Sequence, residues 1–361
     1  MTSPQTSPAF TSVRPRFSVD GSAAPALDQH VQSFVVEDAT DGLTHCEATF
    51  DNWGAQDGAI GYLFTDRRLV DFGKRLEVVL GTGVSGGTVF DGKVSALQGR
   101  WLQERAPELL VLAEDRFQDL RMTRRTRTFT DVSDEDVMRR IASDHGLTPD
   151  IDVTGPTYAI LAQVNQSDLA FLRDRAQAID AELWMEGSTL HAQARSRRRT
   201  SELHLAAQRE VRQIVLTADV AGQTTSLTVA GWDRAGKEAV RVDANDDALA
   251  GERRDGDTGA SVLQQAFGER AQRIVHPLPV RADEARAMAE AAFRRQARRF
   301  VSGKAIATGD ARIRVGASVE LTGLGPTFEG WYTITRARHV FDLASGWLTA
   351  FEVERPEVTR P

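Results

Sequence analysis

Alternation of apolar and polar positions dominates the first third of the chain. Phe17 and Val19 precede Asp20-Gly21, and the same period of two runs through 31–37, 44–50, 75–80, 89–97 and 109–113. Six such segments with turn residues between them, and no long helical pattern, predict a closed or nearly closed barrel. Within this region Gly81-Thr82-Gly83-Val84-Ser85-Gly86 matches G-x-G-x-x-G. A dinucleotide site would need a helix to follow, so that its free amides could hold the pyrophosphate. Gly87-Thr88-Val89-Phe90-Asp91-Gly92 instead begins another strand, so the glycines read as a strand connection.

The period then lengthens. Ser133 to Asp136 supplies a cap and an acidic first turn, with Val137, Met138, Ile141 and Ala142 on one helical face. A second helix begins at Ser167-Asp168, with Asp168 read as a helix-start carboxylate satisfying free amides, and a hairpin over 183–192 follows. The strand pattern returns at 211–216 and 225–229, ending in Gly231-Trp232-Asp233, where the tryptophan reads as a packing anchor. An exposed loop over 243–259, a short helix near 262–267 and a clear helix over 283–300 precede three last strands, 312–321, 331–341 and 348–355.

The expected fold class is therefore mainly β with α+β insertions: two tube-type β-barrel domains, an inserted α/β unit and lateral helices. The boundaries are a flexible tail over 1–14, a first barrel over 15–128, the inserted unit over 129–200, and a second barrel over 201–361 with a helical insertion at about 243–300.

Composition narrows the function. The net charge of −7 argues against stable nucleic-acid binding. No segment approaches the roughly 20 apolar residues of a membrane helix, so membrane insertion by this chain is not expected. The arginines at 195, 197, 198 and 199 lack interleaved aromatics and read as a solvated junction. A single Cys46 in a strand pattern reads as a buried small hydrophobe. The histidines at 30, 45, 145, 191, 204, 276 and 339 include no metal-ligand spacing, and no nucleophile elbow or P-loop appears. No catalytic, metal or cofactor site is expected; a pair of carboxylates is the one acid–base grouping that sequence spacing leaves open.

Three groups of residues carry a family resemblance. One is Gln163-x-Asn165-Gln166-Ser167-Asp168 with Phe171 and Leu172, and another is Gly231-Trp232-Asp233. The third runs through Gly316, Gly323, Gly325, Gly330, Tyr332, His339, Gly346, Thr349, Phe351 and Arg355, and Phe90 with Gly92 matches a further family strand. Together these resemble the phage late control gene D family, which comprises tail hub proteins of contractile phages and the hub portion of the type VI secretion spike protein. The resemblance spans roughly 15–355 and gives these residues a fold-specifying role; His339 is expected to be hydrogen-bonded in a barrel wall.

What the resemblance implies is a structural role. Three copies with two barrels each would present six near-equivalent positions, joining a sixfold inner tube to a threefold spike. Expected partners are two further copies, the inner tube protein, a trimeric spike and other baseplate proteins. Only six residues follow Arg355, so the spike is expected to be a separate polypeptide. Assembly is expected in the bacterial cytoplasm and residence in the baseplate of the particle, with part of the acidic excess lining the lumen. The alternative is a cell-wall-degrading or glycan-binding tail component, which would show a reactive cleft or an exposed aromatic row.

Overall fold

Strands form where alternation puts one face in the core. In the computed structural model, which describes residues 13–56, 58–233, 236–275 and 279–360, Arg75–Leu80 buries Leu76, Val78 and Leu80 and leaves Arg75 exposed. Residues 1–12 of the expected tail and His276 lie outside the described residues.

The chain is mainly β with α+β insertions. One thirteen-stranded sheet runs through it, with seven strands drawn from residues 16–114 and six from 202–355. The two groups meet where Val31–Ala39 pairs antiparallel with Gly330–Asp342, Phe34 opposite Phe341 and Val36 opposite His339. This junction joins the two expected barrel-type strand groups into one sheet, a link the expectation did not contain. The ladder of one group continues into the other, and it branches at Gly330–Asp342 through Ser318–Thr322 to Glu202–Ala206. Among the described residues it therefore ends at Val211–Ala218, Glu202–Ala206 and Ser22–Ala23, the first two touching at the Ala207–Val211 bridge.

Each strand group carries its own core. Phe17, Phe34, Phe50 and Phe90 fill the first, joined by Phe341 and Trp347 from the last two strands. Tyr332, Ile334, Phe351 and Val353 fill the second. In the last strand Thr349, Phe351, Val353 and Arg355 turn inward together, as a two-residue period requires.

A third core belongs to residues 117–192, where Phe129, Met138, Ile141, Leu172 and Leu190 come together. It is framed by helices Asp134–Asp144 and Asp168–Ala178 and by the long antiparallel ribbon Arg124–Ser133 with Thr157–Ser167. That ribbon was not predicted, because the outward face of Thr157–Ser167 carries apolar residues that blur the alternation: Ile160 and Val164 lie open to solvent. A fourth core packs helix Ala282–Ala297, through Ala285, Ala289 and Phe293, on Leu227 and Val229.

Three local readings need correction, and the glycine-rich connection is as expected. The 312–321 segment is a strand only over Ser318–Thr322; the residues before it turn, with Ile313 amide donating to Asp310 carbonyl and Ala317 to Arg314. Pro25–His30 forms an unexpected short helix with Leu27 buried beneath it. The glycine-rich connection holds a single 3-10 turn, Gly83–Ser85, and the strand Gly87–Arg100 follows directly. Trp232 is half exposed, because the period of two places it opposite the buried Leu227 and Val229.

Candidate functional site

The conspicuous motif 163–172 builds a charged node. Ser167 is the helix N-cap, its hydroxyl accepting the Ala170 amide at 3.2 Å. Asp168, expected to satisfy helix amides, turns inward instead and is 1% exposed. Its carboxylate accepts from Arg127 at 2.8 Å, Gln163 at 2.9 Å and His145 at 2.8 Å, and Arg125 lies 3.2 Å away. Burial raises the Asp168 pKa, but the hydrogen bonds from His145 and Gln163 and the two arginine charges hold it below the usual aspartate range. Gln163 also accepts from Arg127 at 2.8 Å and donates to the Gln166 carbonyl at 3.0 Å. Asn165 takes a left-handed turn, φ 48°, and its carbonyl accepts from Arg124. Phe171 stacks on Phe129 at 5.8 Å, and Leu172 is fully buried. The node ties a ribbon to two helices.

A second node joins the inserted unit to both neighbouring bodies. Arg195 reaches Glu182 at 3.1 Å and also Glu354 of the last strand, while Arg198 donates to Glu182 at 3.0 Å and lies 4.3 Å over the Trp184 ring. Arg298, just beyond the long helix, donates to Asp180 at 2.5 and 2.6 Å and to Glu252 at 2.7 and 2.6 Å. Arg198 and Arg298 are each about nineteen-twentieths buried. Arg195 and Arg198 are therefore paired and enclosed rather than solvated, while Arg197 and Arg199 of the same run stay exposed. The Arg195 partner Glu354 lies 159 residues away, which no local spacing could show.

The C-terminal motif residues occupy the wall and turns of the second core. His339 accepts from or donates to Thr349 Oγ1 at 3.0 Å, both fully enclosed. Tyr332 donates to the Phe328 carbonyl at 2.7 Å beneath the Arg355 guanidinium, 4.6 Å away, and burial pushes its hydroxyl up to about 12. Gly316 adopts φ 82° and is pressed by Arg198, whose Nε would lie 2.6 Å from any added Cβ. Gly323 and Gly325 flank Leu324, Gly330 opens the next strand, and Gly346 closes the hairpin opposite Asp342. In the first half, Gly92 sits 2.2 Å, by the same measure, from the Glu114 carbonyl and against the Phe90 ring. Gly231 lies against the Pro279 carbonyl, and Asp233 accepts the Gly236 amide.

Burial pulls the His339 pKa down to about 3, with the Arg314 charge adding to the effect and Asp310 opposing it. The unfolded chain takes up a proton below about pH 6.5 that the folded chain refuses, so stability falls as pH drops from there towards 3. This group contributes up to about 1.4 kcal/mol per pH unit across that window. Asp115 acts oppositely: burial raises its pKa to about 6, so its contribution to stability grows as pH falls from about 6 to the ordinary aspartate value and is lost as pH rises back through that window. We expect His339→Gln to flatten the acid loss seen in urea midpoints between pH 7 and 4. An unchanged slope would mean that His339 is not held neutral.

Two grooves cross the face of the sheet opposite the second core. They measure about 780 and 810 Å³ and share Thr217, Ser302, Arg336 and Glu352. Their charges are mixed: Lys304 pairs with Glu352 at 3.0 Å, and Arg336 and Arg338 both approach Glu37. The acidic excess of the sequence does not collect here. Sequence spacing also missed an aromatic group, since Trp53, Tyr62 and Trp101 meet on the surface although they are far apart in the chain. Their rings stand edge to face, 84° and 76° apart, and so form no flat platform. Among the described residues no group of three His, Cys, Asp or Glu could hold a metal, and no helix is long and apolar enough to cross a membrane. Cys46 is enclosed, and burial raises its thiol pKa strongly.

The family model described as Alg8 N-terminal domain matches residues 11–342. Among solved structures, the 43 kDa tail protein of prophage MuSo2 from Shewanella oneidensis is 14% identical, with TM-score 0.69, covering 96% of this chain and 99% of that one. A tail protein from Neisseria meningitidis MC58 is 11% identical, with TM-score 0.66 and coverages of 95% and 97%. The E. coli c3393 protein, described as a type VI secretion component similar to T4 tail proteins gp27 and gp5, is 11% identical, with TM-score 0.59 and coverages of 96% and 79%. No curated protein matches by sequence. The chain thus has the phage baseplate hub fold that the resemblance implied.

Proposed function

We propose, from the premise that the chain belongs to the Alg8 N-terminal domain family, that it is a structural hub in the baseplate of a contractile injection system. The observation that carries this reading is the sheet made of two strand groups, seven and six strands, each over its own core. Three copies supply six such groups around an axis, so a sixfold inner tube can stack on one side and a threefold spike on the other. Subunit interfaces of about 2,000 Å² or more are expected for an obligate ring, drawing on the open edges at Val211–Ala218 and Ser22–Ala23.

In this reading the motif residues act by shape. Gln163, Asp168 and Arg127 hold the inserted unit, while Gly316, Tyr332, His339 and Arg355 set the second core. No reaction is assigned to any of them. The alternative glycan-binding or wall-degrading role is not favoured, because the exposed aromatics are edge to face and the buried carboxylates at 168, 180 and 182, with the partly exposed Glu252, are committed to arginines. Native mass spectrometry of the chain co-expressed with the tube and spike proteins of its own particle tests the proposal. Three copies bound to a spike trimer are expected; a single copy with no association to either protein contradicts it.

A further inference from the structure

Where the inserted unit, the last strand and the loop after Leu249 converge, the protein encloses a small polar cavity of about 90 Å³. That is room for a few waters or one small anion. Five arginines line it, at 195, 199, 254, 298 and 355, against three glutamates, at 252, 354 and 357. The glutamates are already engaged: Glu252 by Arg298, Glu354 by Arg195, and Glu357 by the amides of Arg254 and Gly256.

Three of the guanidiniums have no carboxylate. Among the described residues no ion pair forms at Arg199, Arg254 or Arg355. Arg199 donates to the Arg198 carbonyl, and Arg254 lies 4.8 Å over the Trp331 ring; both are exposed at the mouth. Arg355 is in the wall and 6% exposed. It donates only to the carbonyls of Glu329 and Thr327, and its Nε is buried with no partner. A buried cation bonded to carbonyls alone lacks the countercharge that normally offsets its desolvation. Burial accordingly lowers the Arg355 pKa, and the neighbouring Tyr332 and then Glu357 offset it only in part.

We infer that this cavity is a binding site for one small tetrahedral oxyanion of the phosphate or sulfate class, held by Arg355 in the wall and by Arg199 and Arg254 at the mouth. Guanidiniums match such oxygens in pairs, and the hydroxyls of Ser196 and Ser318 line the same cavity as further donors. A bound oxyanion would couple the 195–199 segment, the 252–257 loop and the last strand. It would act as a clamp at the place where three of the four cores meet.

The test is thermal unfolding of the full chain with 10 mM inorganic phosphate against sodium chloride at equal ionic strength and pH. Phosphate should raise the midpoint by about 2 °C or more, as ligand binding to the folded state alone requires, and sulfate should do the same. The double variant Arg199→Gln/Arg254→Gln alters only exposed mouth residues and should keep its midpoint in chloride while losing most of the phosphate shift. Phosphorus NMR of phosphate with the unsubstituted chain gives a second reading, with broadening reversed by sulfate. Absence of any shift and broadening, or an undiminished shift in a folded double variant, would overturn the site.

Discussion

Arg298→Ala lowers the unfolding free energy by about 3–5 kcal/mol, the range seen when one partner of a buried ion pair is removed. The loss is large because Asp180 and Glu252 stay behind, 7% and partly exposed respectively, with the cation that neutralises both gone. Burial alone would raise the Glu252 pKa, and it is the hydrogen bonds and charge of Arg298 that keep it below the usual glutamate value. In the variant that carboxylate loses its main support. Urea denaturation at pH 7 gives the number directly. Arg298→Lys should recover only part of it, since an ammonium cannot serve two carboxylates with the fork that a guanidinium offers. Removing Asp180 and Glu252 together with Arg298 should cost less than the single change, because no charge is then left unpaired. A loss under about 1 kcal/mol for Arg298→Ala would mean that the node is solvated in solution.

Asp168→Ala has the second largest effect, about 3 kcal/mol or more. The carboxylate is the common acceptor for Arg127, Arg125, His145 and Gln163, so its removal leaves a buried amide without its acceptor and two cations facing one another. Gln163 is completely enclosed and can reach only Gln166 and Arg127 instead. The damage should stay within the 117–192 body, whose core is separate from the two sheet cores. Limited proteolysis should therefore open the Arg124–Ser133 and Thr157–Ser167 ribbon while Val31–Ala39 and Gly330–Asp342 remain protected. Asp168→Asn keeps the shape and can still accept one bond, so it should lie between the alanine variant and the unsubstituted chain. Uniform cleavage across the chain would show that the bodies do not unfold separately.

These two residues also mark what a sequence can and cannot disclose. Arg75–Leu80 is legible because a half-buried strand writes its burial into alternate residues. Asp134–Asp144 is legible because Ser133 and Asp136 form a reciprocal cap three residues apart, within reach of a local reading. The partners of Asp168 at 125, 127 and 145 lie too far along the chain for any spacing rule. The same holds for Arg298 with Asp180, 118 residues apart, where charge runs look like solvated surface until the fold brings opposite runs together.

Register and edges follow the same division. The pairing of Val31–Ala39 with Gly330–Asp342 joins the two halves into one sheet, yet each strand separately shows only the alternation common to all half-buried strands. Trp232 illustrates a weaker inference: an aromatic side chain at the end of a strand is apolar enough to suggest packing, but the period of the strand turns it outward. Gly92 and Gly316 were picked out as motif positions, and each sits where a Cβ would collide, with the Glu114 carbonyl and with Arg198.

Electron microscopy of the chain assembled with its tube and spike proteins is the most direct measurement. A threefold ring with an open centre, its wall made of six similar β lobes, is the predicted image. A ring of any other symmetry, or isolated subunits that bind neither neighbour, would contradict the account.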